Sequence, residues 1–168
     1  MTNETRMIGL YKKVYSSKKL VSFLTVLDYV AVSAVVIVFL TGATLAFIGR
    51  FLDGVKLILA AAIPFLIVST ARHIIDGKRP YQVYDFLEFT EKNPGRKLGE
   101  SFPSRHVFSA FLISGLTFSI LPVLGIVSAI AGGVLAFCRI FLGIHFIKDT
   151  VFGALIGIMS AVLGLLII

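Results

Sequence analysis

Long apolar runs alternate with short basic stretches along this chain. Apolar residues dominate Leu24–Ile48, Val55–Ile75, Val107–Leu121, Val123–Cys138 and Thr150–Ile168. A helix needs about 20 predominantly apolar residues to cross a bilayer. The first, second and fifth runs meet that length. The third gains a turn if its helix starts near Ser104, and the fourth needs a further turn beyond Cys138. Pro122 breaks the helical hydrogen-bond ladder and predicts a tight hairpin between these two. The pattern predicts an all-α, multi-pass transmembrane helical bundle of about five spans.

Residues 1–22 differ from the rest. Met7, Ile8, Leu10, Tyr11, Val14 and Tyr15 are interspersed with Arg6, Lys12 and Lys13, and Lys18 and Lys19 follow. This reads as a basic helix lying at the membrane interface or as a frayed basic terminus. No short apolar core followed by a small-residue cleavage site marks a signal peptide. The remaining residues, 23–168, form one membrane domain interrupted by a polar insert, residues 72–105.

Composition agrees with a lipid solvent. The 168 residues are 57% hydrophobic, against about 45–50% for soluble domains. The net charge of +7 would suit nucleic acid on a soluble protein. Here the cations lie between apolar runs, which points to phosphate headgroups and away from nucleic acid. The single cysteine, Cys138, excludes an intrachain disulfide and a cysteine metal cluster. Gly153 and Gly157 have the small-residue spacing of packed membrane helices, a weak pointer to a homodimer beside the plainer reading of helix packing.

Parity then orders the charges. With two spans before the insert, the arm, the insert and the turn after Cys138 share one face, which collects fourteen of the sixteen basic residues. The positive-inside rule places that face in the cytoplasm.

Three clusters lie on it. Arg72 and Arg79 stand seven apart in RHIIDGKRP, and their planar forks match phosphate oxygens, although flanking cations are common at span ends. In FPSRH, Ser104 is placed to cap the next helix and His106 falls in its first turn, suited to structure or to proton transfer. In CRIFLGIHFIKD, His145 and Asp149 are four apart and meet on one face if the stretch is helical. An aspartate on one imidazole nitrogen leaves the other available as a nucleophile. Ionisable residues gathered at membrane helix ends point to function.

The order and spacing of these clusters resemble the type 2 phosphatidic acid phosphatase superfamily. That family carries a lysine, six residues and Arg-Pro; then Pro-Ser-Gly-His; then Ser-Arg, five residues, His, three residues and Asp. Here the corresponding residues are Arg72 with Arg79-Pro80, Pro103-Ser104-Arg105-His106, and Cys138-Arg139 with His145 and Asp149. The resemblance covers roughly residues 55–168. It implies a membrane lipid phosphatase needing no metal or cofactor, acting on a lipid phosphate or diphosphate such as undecaprenyl diphosphate, phosphatidylglycerophosphate or phosphatidate. His145 would attack phosphorus, Asp149 would orient it, and His106 would protonate the leaving group. Arg72, Arg79, Arg139 and Ser104 would hold phosphoryl oxygens.

Three positions depart from the pattern: Arg72 for lysine, Cys138 for serine and Arg105 for glycine. Arg105 either crowds the site or adds a phosphate contact, and crowding would favour a non-catalytic lipid-phosphate binder. Family members commonly have six spans, one more than expected here. The resemblance places a multi-pass protein in the cell membrane with its site usually on the outer side, opposite to the charge rule, so the face is left open. His73 falls outside the pattern and reads as a loop or interface residue. Tyr81, Tyr84, Phe86 and Phe89 in the insert suit a lid, a guide for a lipid tail, or interfacial anchoring.

Overall fold

The computed structural model describes residues 3–84 and 98–166, with side chains described from Met7 onward. The chain begins with α1 (Asn3–Tyr15). Ser17, whose Oγ accepts from Leu20 N at 3.3 Å, caps α2 (Lys18–Gly49). One extended residue, Arg50, then reverses the chain into α3 (Phe51–Ile75). The reversal is tight enough that a Cβ on Gly54 would lie 2.4 Å from the Phe47 ring. Beyond the single turn α4 (Pro80–Val83), the bundle continues with α5 (Arg105–Phe118), α6 (Pro122–Phe141) and α7 (Ile147–Leu165). Pro122 occupies the first position of α6, where its missing N–H would have no helical partner anyway.

Among the described residues, four helices are long and apolar enough to cross a membrane: α2, α3 with its extension through Val83, α6 and α7. Their outer faces expose Ile37, Leu66, Ile130 and Leu163, as expected where lipid is the solvent. The third expected span is different. α5 has 14 residues and reaches only about 21 Å at 1.5 Å per residue. It sits in the middle of the bundle, with Val107, Phe108, Ala110, Leu112 and Leu116 at most 1% exposed. Because protein surrounds it, its length need not match the bilayer. The fourth run gains its needed turn, extending to Phe141.

α2 packs through a stripe of Leu24, Asp28, Ala31, Val35, Val38 and Gly42, spaced alternately four and three residues apart, the period of a helix seam. α7 packs on α5 through glycines. A Cβ on Gly153 would meet Ser104 O at 2.7 Å, and one on Gly157 would meet Phe108 O at 2.5 Å. The small-residue spacing is thus spent within the chain. α1 is docked on the bundle rather than frayed: Tyr11 is fully buried and Tyr15 Oη donates to Leu142 O at 2.8 Å.

The end of α3, the start of α5, the end of α6 and the start of α7 meet at one end of the bundle. Arg72 reaches Pro103 O, Ser104 N donates to Asp149 O, and Arg139 reaches His106.

Candidate active site

α6 ends in a turn that positions His145. Gly143 adopts φ 62°, a left-handed conformation that glycine takes without penalty. Ile144 N and His145 N then both donate to Arg139 O, at 2.9 and 3.1 Å. This hangs His145 just ahead of α7, so the expected shared helical face is not the basis of its pairing with Asp149. Asp149 lies in the first turn of α7, and its Oδ2 accepts from Phe146 N at 2.9 Å.

The two side chains approach at 3.7 Å, Nδ1 to Oδ2, too long for a direct hydrogen bond. Ser101 fills the interval. Its Oγ donates to Asp149 Oδ2 at 2.5 Å and lies 3.3 Å from His145 Nδ1. A hydroxyl can accept while it donates, so the chain runs from His145 Nδ1–H through Ser101 to Asp149. That tautomer leaves Nε2 of His145 with its lone pair. His145, Ser101 and Asp149 are each at most 1% exposed. Burial pushes the His145 imidazolium pKa down to about 4; the Asp149 interaction opposes this, and Arg79, Arg139 and Arg72 add to it. The imidazole is therefore neutral at neutral pH.

His106 stands in the first turn of α5, as expected. Arg139, in the last turn of α6, places NH1 3.0 Å from His106 Nδ1. An arginine N–H only donates, so Nδ1 accepts and His106 carries its proton on Nε2. The other arm of Arg139 forms a 2.9 Å ion pair with Asp28 Oδ2.

The remaining phosphate candidates divide. Arg72 donates through NH1 to Pro103 O at 2.7 Å and through NH2 to Glu100 O. Arg79 donates to Gly99 O (2.9 Å), Ile144 O (3.3 Å) and Glu100 O (3.4 Å). Both therefore tie the loop ahead of α5 to the site. Ser104 holds the N-cap position, but its side chain makes no capping bond. Its amide instead donates to Asp149 O, at 2.8 Å, which fixes α5 against α7. Ser104 Oγ, Arg72 Nε and Arg139 Nε are buried without a hydrogen-bond partner among the described residues. Arg105 lies over the Phe65 ring of α3, 5.5 Å from its centroid.

Arg79 and Arg139 line a cavity of about 300 Å³ together with Asp28, Thr25, Tyr29 and Tyr81. Tyr81 is buried, and Tyr84 packs near Tyr11 and Phe146 with ring centroids 6.1 and 6.0 Å apart. Tyr81 therefore belongs to the protein interior, while Tyr84 is half-buried. Phe86 and Phe89 lie outside the described residues. His73 is exposed at the end of α3, 3.3 Å from Glu100 Oε1, and Cys138 is buried beside Val14, Leu24 and Leu142. Among the described residues, no three His, Cys, Asp or Glu side chains are grouped to hold a metal ion.

Two site residues escaped the sequence reading. Asp28 carried a signal, as the lone acid within an apolar run. Ser101 carried none, since its place between His145 and Asp149 depends on the loop's path.

The model of the PAP2 superfamily matches residues 53–168. Similar solved structures include the "first transmembrane PAP2 type phosphatidylglycerolphosphate phosphatase" of Bacillus subtilis, at 20% identity, covering 97% of this chain and 85% of that one, with a TM-score of 0.68. LpxE of Aquifex aeolicus is similar at 22% identity over 94% of this chain and 93% of that one, with a TM-score of 0.66. No curated protein sequence matches.

Proposed function

The chain belongs to the PAP2 superfamily, and from that membership we propose that it is a metal-independent membrane lipid phosphatase working through a phosphohistidine. The observation that carries this reading is the His145–Ser101–Asp149 chain held against two arginines, with His145 N donating to Arg139 O and Arg79 donating to Ile144 O. His145 Nε2 attacks phosphorus while the bond from phosphorus to the lipid oxygen breaks. That oxygen takes the Nε2 proton of His106 in its imidazolium form, which returns to the neutral ring. Water then attacks phosphorus, giving its proton to the neutral His106, as the bond from phosphorus to His145 Nε2 breaks and phosphate leaves.

In-line transfer asks the protein mainly for positioning and charge stabilisation. Arg139 and Arg79 supply fixed cations, with Arg72 and Ser104 alongside. Arg105 bears on the competing account, a non-catalytic lipid-phosphate binder. Its guanidinium over Phe65 supports an uncrowded pocket and hence turnover. The substrate is a lipid carrying a phosphomonoester or diphosphate, such as undecaprenyl diphosphate, phosphatidylglycerophosphate or phosphatidate. The protein acts from the cell membrane.

The test is phosphate release from this substrate panel by detergent-purified protein with chelator present. Turnover by wild type and its loss in His145→Ala are expected. Equal release by the two proteins on every substrate overturns the reading, and vanadate binding without turnover selects the binder.

A further inference from the structure

α2 lies outside the matched region, yet it contributes a carboxylate to the site. Asp28 is the one acidic residue of α2, whose other charges are Lys18 and Lys19 at its start. It occupies the helix seam between Leu24 and Ala31, is 8% exposed, and pairs with Arg139 across 111 residues of sequence. A charged side chain at such a position is expensive unless paired. Replacing a buried ion pair with packed apolar groups is often neutral or stabilising. Stability alone therefore gives weak reason for a carboxylate in this seam.

Geometry gives a stronger one. Arginine has several rotatable bonds, and a guanidinium useful to a phosphoryl group must be held before the substrate arrives. Asp28 Oδ2 holds the NH2 arm of Arg139 at 2.9 Å while the NH1 arm reaches His106 Nδ1 at 3.0 Å. Asp28, Arg139 and Arg79 line the same cavity, and Thr25 and Tyr29 from the same stretch of α2 contribute to its wall. We propose that Asp28 is a positioning residue for Arg139, so that α2 completes the phosphate site. This rests on Arg139 binding phosphate, as proposed above. Asp28 acts by fixing the plane of the guanidinium between two helices, which sets both the cation that meets the phosphoryl oxygens and the partner of His106.

The experiment compares Asp28→Asn, Asp28→Ala, Asp28→Glu, Arg139→Ala and the double variant Asp28→Ala/Arg139→Ala in detergent. It reads kcat, KM, vanadate Kd and the melting curve of each. Asp28→Asn and Asp28→Ala are expected to lose about 10-fold or more in kcat/KM and in vanadate affinity, the scale of a charge-assisted contact. Glu should restore part of the loss. The double variant should match Arg139→Ala, because residues acting as a unit are not additive.

Wild-type constants in folded Asp28→Asn overturn the proposal, and so do losses that add in the double variant. The near-isosteric Asn variant keeps the test open if Ala does not fold. If wild type releases no phosphate but binds vanadate, the phosphatase reading fails alone, and Asp28 is judged on vanadate affinity. A wild type that does neither overturns both.

Discussion

Ser101 Oγ donates to Asp149 Oδ2 at 2.5 Å, so the carboxylate reaches His145 through a hydroxyl. The imidazole tautomer therefore depends on a serine that lies outside the three motif clusters. A hydrogen bond to a charged group contributes about 1.5–3 kcal/mol, equivalent to about 10- to 100-fold in rate. Ser101→Ala is expected to lower kcat by that factor. Its melting temperature should fall by a few degrees, because the buried Asp149 loses a partner while Arg72 and Arg79 still tie the loop. Steady-state assays beside a thermal melt check both. An unchanged kcat would mean that Asp149 reaches His145 without the bridge.

Burial of His145 predicts the acid side of the pH profile. Folded protein holds this imidazolium at a pKa of about 4, against an ordinary value of 6.5. Between those values the unfolded chain binds the extra proton and the folded one does not. This contribution to stability therefore grows as pH rises from 4 to 6.5, and is lost as pH falls through that window. The nucleophile itself stays neutral down to about pH 4. The acid limb of kcat/KM assigned to His145 is expected near 4, measured with a soluble short-chain lipid phosphate. An acid limb near 6.5 would show that His145 titrates as an exposed histidine.

Arg105 departs most from the family pattern, and the structure places its guanidinium over Phe65. A cation–π contact of this kind contributes about 0.5–1 kcal/mol at exposed sites. Arg105→Gly is therefore expected to keep kcat/KM within about 5-fold of wild type. A gain of 100-fold would mean that Arg105 crowds the pocket. A comparable loss would mean that it touches phosphate. The same assays on monophosphate and diphosphate lipids separate these outcomes.

What the sequence made legible follows from what is local. The long apolar runs mark α2, α3, α6 and α7, because bilayer thickness acts directly on run length. The motif spacing brings His106, Arg139, His145 and Asp149 to one end of the bundle, because parity returns α6 to the end where α5 starts. The third run, already short in the sequence, stays at 14 residues in α5, since burial by neighbouring helices removes the bilayer constraint. Ser104 holds the N-cap position of α5, as its place in the sequence suggests, but its side chain makes no capping bond. Ser101 and Asp28 depend on contacts across 48 and 111 residues, which no local pattern encodes.

The close approach of α7 to α5 predicts how packing supports the chemistry. A Cβ on Gly153 would meet Ser104 O at 2.7 Å and Ser104 N at 3.4 Å; one on Gly157 would meet Phe108 O at 2.5 Å and Leu112 N at 3.1 Å. These are mainly backbone atoms, so relief requires the helices to separate. Overpacking of this kind costs about 1–3 kcal/mol. Both Gly153→Ala and Gly157→Ala are expected to lower the melting temperature in detergent. Their effects on turnover should differ. Gly153 abuts the residue whose amide donates to Asp149 O, so displacement there moves the start of α5, with His106, relative to His145. Gly157 lies one turn further from the site. Gly153→Ala is therefore expected to lower kcat well below wild type in the folded fraction, while Gly157→Ala keeps kcat and loses stability alone. Equal kcat losses in the two variants would show that α5 and α7 shift as a rigid pair.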